Sequence, residues 1–89
     1  MDNQERYRNI HGEPLNEKSV DELPGIDFKA AQLLIDLGYD YAYVLFGKYL
    51  VMQRNKDVFR NWLISKTKMK RQYAELCVTC LEDWAVEYI

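Results

Sequence analysis

The residues with the clearest potential for chemistry in this sequence lie in a turn. Pro24-Gly25 separates a short apolar-edged segment, residues 20–23, from an Ala- and Leu-rich segment, residues 28–37. Both segments have helical spacing, so the sequence predicts a helix-hairpin-helix over about residues 20–37. Such a motif binds a DNA backbone without reading bases, because the helix after the turn offers backbone N–H groups with partial positive charge.

The backbone N–H groups of Gly25, Ile26 and Asp27 would form this anion site. The glycine lets a phosphate approach the backbone closely, and the Ile26 side chain would anchor the hairpin between its helices. A plainer interpretation is also open, in which Leu23-Pro24-Gly25 is an ordinary turn between helices, since Pro-Gly turns are common.

The rest of the sequence offers little that could carry out catalysis. Cys77 and Cys80 form one Cys-x-x-Cys pair, and with only His11 elsewhere a zinc site would lack ligands. The cysteines are one helical turn apart on an apolar face, which predicts protonated thiols in the core. His11 has no nucleophile or ligand partner, so a capping or surface role is expected. We expect no enzymatic activity, no metal and no cofactor.

Composition places the chain among folded, soluble proteins. Of its 89 residues, 48% are hydrophobic and 29% charged, which predicts a single domain over residues 1–89 with a small core. The formal net charge of -2 excludes a protein coated in positive charge but is compatible with a local basic patch. Without a bilayer-spanning apolar run or a secretory signal, an intracellular, reduced protein is expected.

Apolar residues recur at helical spacing along the chain, and no stretch alternates convincingly as a strand would. The predicted fold class is therefore all-α, a compact domain of five to six helices. The segment from Tyr41 to Met52 is apolar nearly all round, so it should be covered on several sides. The expected helices are residues 3–11, ended by Gly12-Glu13-Pro14, a single turn at residues 19–23, and residues 28–37, 41–52, 56–65 and 73–88.

Over its whole length the sequence resembles the barrier-to-autointegration factor family of small animal chromatin proteins. The most specific shared blocks run from Ala42 to Val51 and from Phe59 to Leu63. Other similar positions are Glu13-Pro14, Glu17-Lys18, Val20, Leu23, Gly25-Ile26, Gly38, Cys77, Cys80-Leu81 and Trp84. Because the resemblance needs no gaps, it carries more weight than the hairpin alone.

The resemblance implies a two-fold dimer in which each subunit holds one DNA duplex, so that the dimer bridges two duplexes. It also implies a groove across the dimer that takes LEM domains of inner nuclear membrane proteins. The expected setting is the nucleus, at chromatin and the envelope, with room for a cytoplasmic pool and without direct insertion into a membrane. A homodimer and a heterodimer with a related family member are both open.

The resemblance and the hairpin together assign the site residues. DNA contacts are expected at Arg6, Gly25, Ile26, Asp27, Lys29, Lys70, Arg71 and Gln72. Dimer and partner contacts are expected at Tyr39, Phe46, Gly47, Val51, Gln53, Val58 and Trp62. The apolar segment at residues 41–52 and the large Trp62 side chain fit such an interface, although ordinary core within one chain explains both equally well.

The sequence departs from the family at the hairpin, where relatives usually read Gly-Ile-Gly and this chain reads Gly25-Ile26-Asp27. A carboxylate there can cap the following helix itself and repels a phosphate, at a cost of about 1–3 kcal/mol per subunit. Gln32, Leu33 and Gln72 stand where the family tends to have lysines. These changes predict weaker DNA binding at the hairpin.

Basic residues elsewhere offer some compensation. Lys66, Lys68, Lys70 and Arg71 form a basic run before the last helix, near the expected DNA side. Such a run is also typical of a solvated helix start. Residues 1–10 contain no Ser or Thr, so a phosphorylation switch that family members carry in this segment is expected to be missing.

Two functions are therefore open. The first is a sequence-independent, DNA-bridging chromatin adaptor that also binds LEM-domain proteins. The alternative is a DNA-weak paralogue that acts as a protein-interaction module or as the heterodimer partner of a conventional family member. The basic run favours the first function, whereas Asp27 and the missing lysines favour the second.

Overall fold

The computed structural model describes residues 2–12 and 15–89, and no β-strand occurs in this part of the chain. The predicted all-α fold class is confirmed. The five helices are α1 (Asn3–Gly12), α2 (Phe28–Asp36), α3 (Ala42–Val51), α4 (Lys56–Thr67) and α5 (Arg71–Tyr88), with 3-10 turns at Leu15–Glu17 and Val20–Glu22. Glu13 and Pro14, which were expected to end the first helix, lie outside the described residues.

Local hydrogen bonds explain where α4 begins and ends. Asn55 caps its start, since the Asn55 Oδ1 atom accepts the Val58 N–H at 3.1 Å. At its other end, the Thr67 hydroxyl donates to the Leu63 carbonyl at 2.8 Å, and Lys68 then takes a left-handed conformation with φ of 60°. The helix therefore runs two residues beyond the expected end at Ser65.

The long helix α5 is the centre of the fold. It packs against α4 and α1, while α2 packs against α4 and against the second 3-10 turn, and α3 packs against both 3-10 turns. The core contains the fully buried side chains of Ile10, Leu23, Leu34, Leu45, Tyr49, Phe59, Leu63 and Leu81. This arrangement brings the starts of α1, α2 and α5 into one region of the surface, where the candidate site lies.

The two cysteines lie in the core, as predicted. Cys77 and Cys80 are buried free thiols on α5. Burial raises the pKa of both thiols, that of Cys80 to about 12, because a thiolate would lose its hydration. Both side chains are therefore protonated near neutral pH and act as apolar packing groups.

A network of polar side chains holds the turn between α3 and α4. Gln53 and Arg54 both have positive φ angles, 59° and 56°, which cost about 1–3 kcal/mol each in residues other than glycine. The Arg54 guanidinium donates to both carboxylate oxygens of Glu82, at 3.1 and 2.6 Å. The Tyr49 hydroxyl donates to the Glu82 carboxylate at 2.7 Å. These bonds, which tie the turn to α5, compensate for its strained backbone.

Replacement of Glu82 by glutamine should lower the free energy of unfolding by about 1–3 kcal/mol, because the Glu82 side chain, only 18% exposed, loses the charge that strengthens its hydrogen bonds from Arg54 and Tyr49. The hydrogen bond from Arg54 lowers the Glu82 pKa below its ordinary value. This carboxylate therefore stabilises the fold above the unfolded-state pKa of about 4.3, and the contribution is lost as the pH falls through the lower folded-state pKa. Urea unfolding at pH 7 and near pH 3 measures both effects.

Glu75→Gln is the matched control for this substitution. Glu75 lies on the same helix and pairs with Arg71 at 2.9 Å and more distantly with Arg60 at 3.9 Å, but it is exposed. Its loss should cost no more than about 0.5 kcal/mol at pH 7. Equal losses for the two variants would show that the network at Glu82 does not support the turn.

Candidate nucleic-acid interface

The glycine turn rests against the start of α5. Gly25 has a φ angle of +84°, and a Cβ atom placed on it would lie 2.2 Å from the Tyr73 carbonyl oxygen. The position therefore needs glycine for its backbone conformation and for the close approach of a second segment. Ile26 is fully buried beneath the turn. The glycine turn is preceded by the 3-10 turn at Val20–Glu22, where the first helix of the hairpin was expected, and it is followed by α2.

Asp27 caps α2. Its carboxylate oxygen Oδ1 accepts the backbone N–H of Ala30 at 2.8 Å, and its backbone is extended, as an N-cap requires. The capping role expected for Asp27 is thereby confirmed. The N–H groups of Phe28 and Lys29 remain in the first turn of α2, where a helix provides no acceptor of its own.

Two of the three N–H groups assigned to the anion site donate within the chain. The Gly25 N–H donates to the Asn3 Oδ1 atom at 2.9 Å, and the Ile26 N–H donates to the Leu23 carbonyl at 3.3 Å. A phosphate at this point would have to displace the Asn3 side chain. This contact could not be predicted from the sequence, because Asn3 is distant along the chain from the turn whose N–H it accepts.

Arg6 joins α1 to the turn. Its Nη1 atom donates to the Ile26 carbonyl at 2.8 Å and approaches the Leu23 carbonyl at 3.5 Å. The guanidinium is thus held by the turn instead of extending freely into solvent, yet its positive charge lies beside the cleft. Asn3, Arg6, Gly25, Asp27 and Tyr73 line this cleft, which has a volume of about 260 Å³.

Two cations lie at the N-terminus of α5, the helix whose first turn reaches the cleft at Tyr73. Lys70 is the N-cap residue of this helix, Arg71 is its first residue, and both are exposed. Cations at a helix N-terminus oppose the helix dipole by about 0.3–1 kcal/mol each. Arg71 is partly neutralised by Glu75, but Lys70 is not part of that pair. Lys29 and Gln72 are also exposed.

The residues expected at a dimer or partner surface fall into two groups. Val51 and Val58 are 76% and 49% exposed, and Gln53 is exposed in the strained turn. Phe46, by contrast, is only 6% exposed and packs edge-on against Trp84 in the core.

The other expected partner residues, Tyr39, Gly47 and Trp62, are half-buried. The Tyr39 ring meets Trp62 edge-on at 5.3 Å, and the Lys48 Nζ atom also lies 5.3 Å from the Trp62 ring. An added Cβ at Gly47 would meet no atom within 4 Å. A free apolar surface therefore exists around Val51 and Val58, with Trp62 already partly covered.

Two further features concern the described part of the chain as a whole. None of its helices combines the length and apolarity that crossing a membrane requires. Within residues 2–12 and 15–89, no three His, Cys, Asp or Glu side chains converge in a way that could hold a metal ion.

The fold and the cleft define a small all-helical domain in which a glycine turn and a basic helix start face the same depression. The family model for barrier to autointegration factor matches residues 1–88. The chain is 35% identical over 85 residues to the barrier-to-autointegration factor of Drosophila melanogaster, covering 96% of this chain and 94% of that protein. It is 32% identical over 89 residues to the Homo sapiens protein of the same name, covering 100% of both.

The barrier-to-autointegration factor 1 of Caenorhabditis elegans is 34% identical over 84 residues, which is 94% of each chain. The chain therefore belongs to the barrier-to-autointegration factor family. This membership confirms the resemblance inferred from the blocks at residues 42–51 and 59–63.

Proposed function

We propose that this chain is a sequence-independent DNA-binding protein of chromatin that holds the backbone of a DNA duplex in the cleft at the glycine turn. One observation carries the proposal. The first turns of α2 and α5 open onto the same cleft, and the α5 start carries Lys70 and Arg71 despite the opposing helix dipole. A bound phosphate would turn this unfavourable arrangement into a favourable one.

Binding at this cleft would be weaker than at a hairpin with a second glycine. The Asp27 carboxylate would lie near the phosphate and repel it, and it also occupies the Ala30 N–H. The Gly25 N–H, in turn, is satisfied by Asn3. DNA binding by this chain would therefore depend more on its cationic side chains than on the backbone N–H groups of the turn.

The proposal includes a dimer that bridges two duplexes, one on each subunit. An exposed apolar surface around Leu50, Val51 and Val58 supports it, because such a patch is stabilised when a second chain covers it. LEM-domain proteins of the inner nuclear membrane would bind at the dimer. The protein would therefore act in the nucleus, and a cytoplasmic pool is compatible with this proposal. The proposal assigns no enzymatic activity and no cofactor to the chain.

A second function has one observation in its favour. The Gly25 and Ile26 N–H groups both donate within the chain, so the turn is complete without a ligand. This favours a protein-interaction module that keeps the dimer and partner surfaces, binds DNA poorly and pairs with a conventional family member.

Lys70→Gln should weaken duplex binding and reduce its dependence on salt. Each phosphate neutralised by the protein contributes about 0.9 to the slope of log K against log salt, so the slope should become shallower by about 1. Fluorescence anisotropy with a labelled short duplex between about 50 and 200 mM salt measures this.

Light scattering on the wild-type chain tests the proposed dimer and should give twice the mass of one chain.

Lys56→Gln is the matched control, because Lys56 is also an exposed lysine at a helix start. The Lys56 ammonium interacts electrostatically with the Glu82 carboxylate, and Glu82 lies about 16 Å along α5 from Arg71. Lys56 therefore acts at a different part of α5 from Lys70 and Arg71. Equal effects of Lys70→Gln and Lys56→Gln on duplex affinity would show that the cleft is not the binding site. If the chain bound no duplex even at low salt, the proposed DNA-binding function would be wrong. The protein-interaction module would then be the function that remains.

A further inference from the structure

An exposed aromatic side chain follows a cleft-lining residue in the sequence. Phe28, the first residue of α2, is 78% exposed, whereas the other two phenylalanines, Phe46 and Phe59, are buried. Full burial of such a side chain would contribute about 1.5–3 kcal/mol, which the single chain does not gain. Phe28 directly follows Asp27, which lines the cleft, so the exposed ring belongs to the residue next to the site.

A second aromatic ring lies on the opposite element. Tyr73, in the first turn of α5, lines the same cleft and is 38% exposed. Its carbonyl oxygen lies against the Gly25 position, so the Tyr73 backbone is held next to the turn. The starts of two helices thus supply one aromatic residue that lines the cleft and one that follows a lining residue in the sequence.

Positively charged residues neighbour both aromatic residues in the sequence. Lys29 follows Phe28, and Lys70 and Arg71 precede Tyr73 by a few residues; all three are exposed. Aromatic side chains interleaved with cations are the arrangement on which unpaired nucleotides bind, since the bases stack on the rings while the cations attract the backbone. The charge complementarity therefore selects a nucleic acid rather than an apolar protein as the occupant.

The acidic residue in the cleft fits a base better than a phosphate. The Asp27 carboxylate repels a phosphate but is a good acceptor for the exocyclic amino group of a base. In a paired duplex these amino groups and the faces of the bases are engaged by stacking and pairing. An unpaired nucleotide presents both to the cleft.

We propose that the Phe28 ring, together with Tyr73, stacks on an unpaired base, so that this chain prefers DNA with a single-stranded end over a blunt duplex. The inference rests on the proposed function for the attraction of the DNA backbone to the cleft. It adds to that function the form of DNA that the site selects.

The test compares a blunt duplex with the same duplex carrying a short single-stranded overhang. Stacking of about 1–3 kcal/mol per base corresponds to a preference of about five- to hundred-fold for the overhang. Phe28→Ala and Phe28→Leu should abolish this preference and leave blunt-duplex binding unchanged, while Phe28→Trp should keep it. Leu37→Ala, at an exposed apolar residue at the other end of α2, is the matched control and should change neither affinity.

The outcomes separate this inference from the proposed function. Duplex binding without a preference for the overhang, or a preference that survives Phe28→Leu, overturns the stacking role and leaves the duplex function standing. Binding of the overhang duplex but not of the blunt duplex, lost in Phe28→Ala, supports the stacking role and overturns the proposed binding of a fully paired duplex. Failure of the wild-type chain to bind any of these DNAs overturns both.

Discussion

Replacement of Gly25 by alanine should lower the free energy of unfolding by about 2–4 kcal/mol. Two costs add here. The φ angle of +84° is strained for any residue with a Cβ, by about 1 kcal/mol, and the new Cβ would lie 2.2 Å from the Tyr73 carbonyl oxygen. That oxygen belongs to the backbone of α5 and cannot rotate away, so the turn or the helix must shift, at about 1–3 kcal/mol more. This is a large part of the stability of a small domain.

Two other glycines separate the two costs. Gly38 also has a positive φ angle, +97°, but an added Cβ would meet no atom within 4 Å, so Gly38→Ala should lose only about 1 kcal/mol. Gly47 lies inside α3 with similar free space, so alanine there should stabilise the single chain by about 0.5–1 kcal/mol.

Urea unfolding of the three variants at one protein concentration measures these effects, since the stability of a dimer depends on concentration. Equal losses at Gly25 and Gly38 would contradict the close contact with α5. A loss at Gly47 would instead indicate that a second chain lies against that position.

Asp27→Asn should strengthen duplex binding by about ten- to hundred-fold, which corresponds to about 1–3 kcal/mol per subunit. The substitution removes the charge that repels a phosphate, while asparagine caps a helix about as well as aspartate. The fold should therefore change little in stability, apart from the small loss of a favourable interaction with the α2 dipole. The cap hydrogen bond to Ala30, 2.8 Å long in the wild type, can be kept by the asparagine carbonyl.

Asp27→Gly separates the charge from the cap. It removes the carboxylate and frees the Ala30 N–H for a phosphate, so its affinity should be at least that of Asp27→Asn, at a cost of a few tenths of a kcal/mol in stability. Asp36→Asn removes an exposed charge at the last residue of the same helix, about 13 Å away along its axis. At that distance salt screens most of the effect, so the affinity should change little.

The helices could be predicted from the sequence because their signals are local. Apolar spacing placed all five, and the caps at Asp27 and Asn55 are side chains that reach only three residues along the chain. The end of α4 was missed because Lys68 adopts the left-handed conformation that a glycine or asparagine usually signals.

The candidate site could be predicted only in part, for a related reason. Gly25 and Asp27 were identified because the turn itself carries the motif. Asn3 and Tyr73 were not, because they reach the turn from segments that are distant in sequence. Phe46 illustrates the same limit on the partner surface, since helical spacing gives no means to tell a buried aromatic from one that awaits a second chain.

The most direct test of the account is the affinity of the wild-type chain and of Asp27→Asn for one blunt DNA duplex, measured across a salt titration. We expect weak, salt-sensitive binding by the wild type. Asp27→Asn should bind at least about ten-fold tighter, with a slope of log K against log salt that is steeper by about 1. Nanomolar binding by the wild type that Asp27→Asn leaves unchanged would contradict the account.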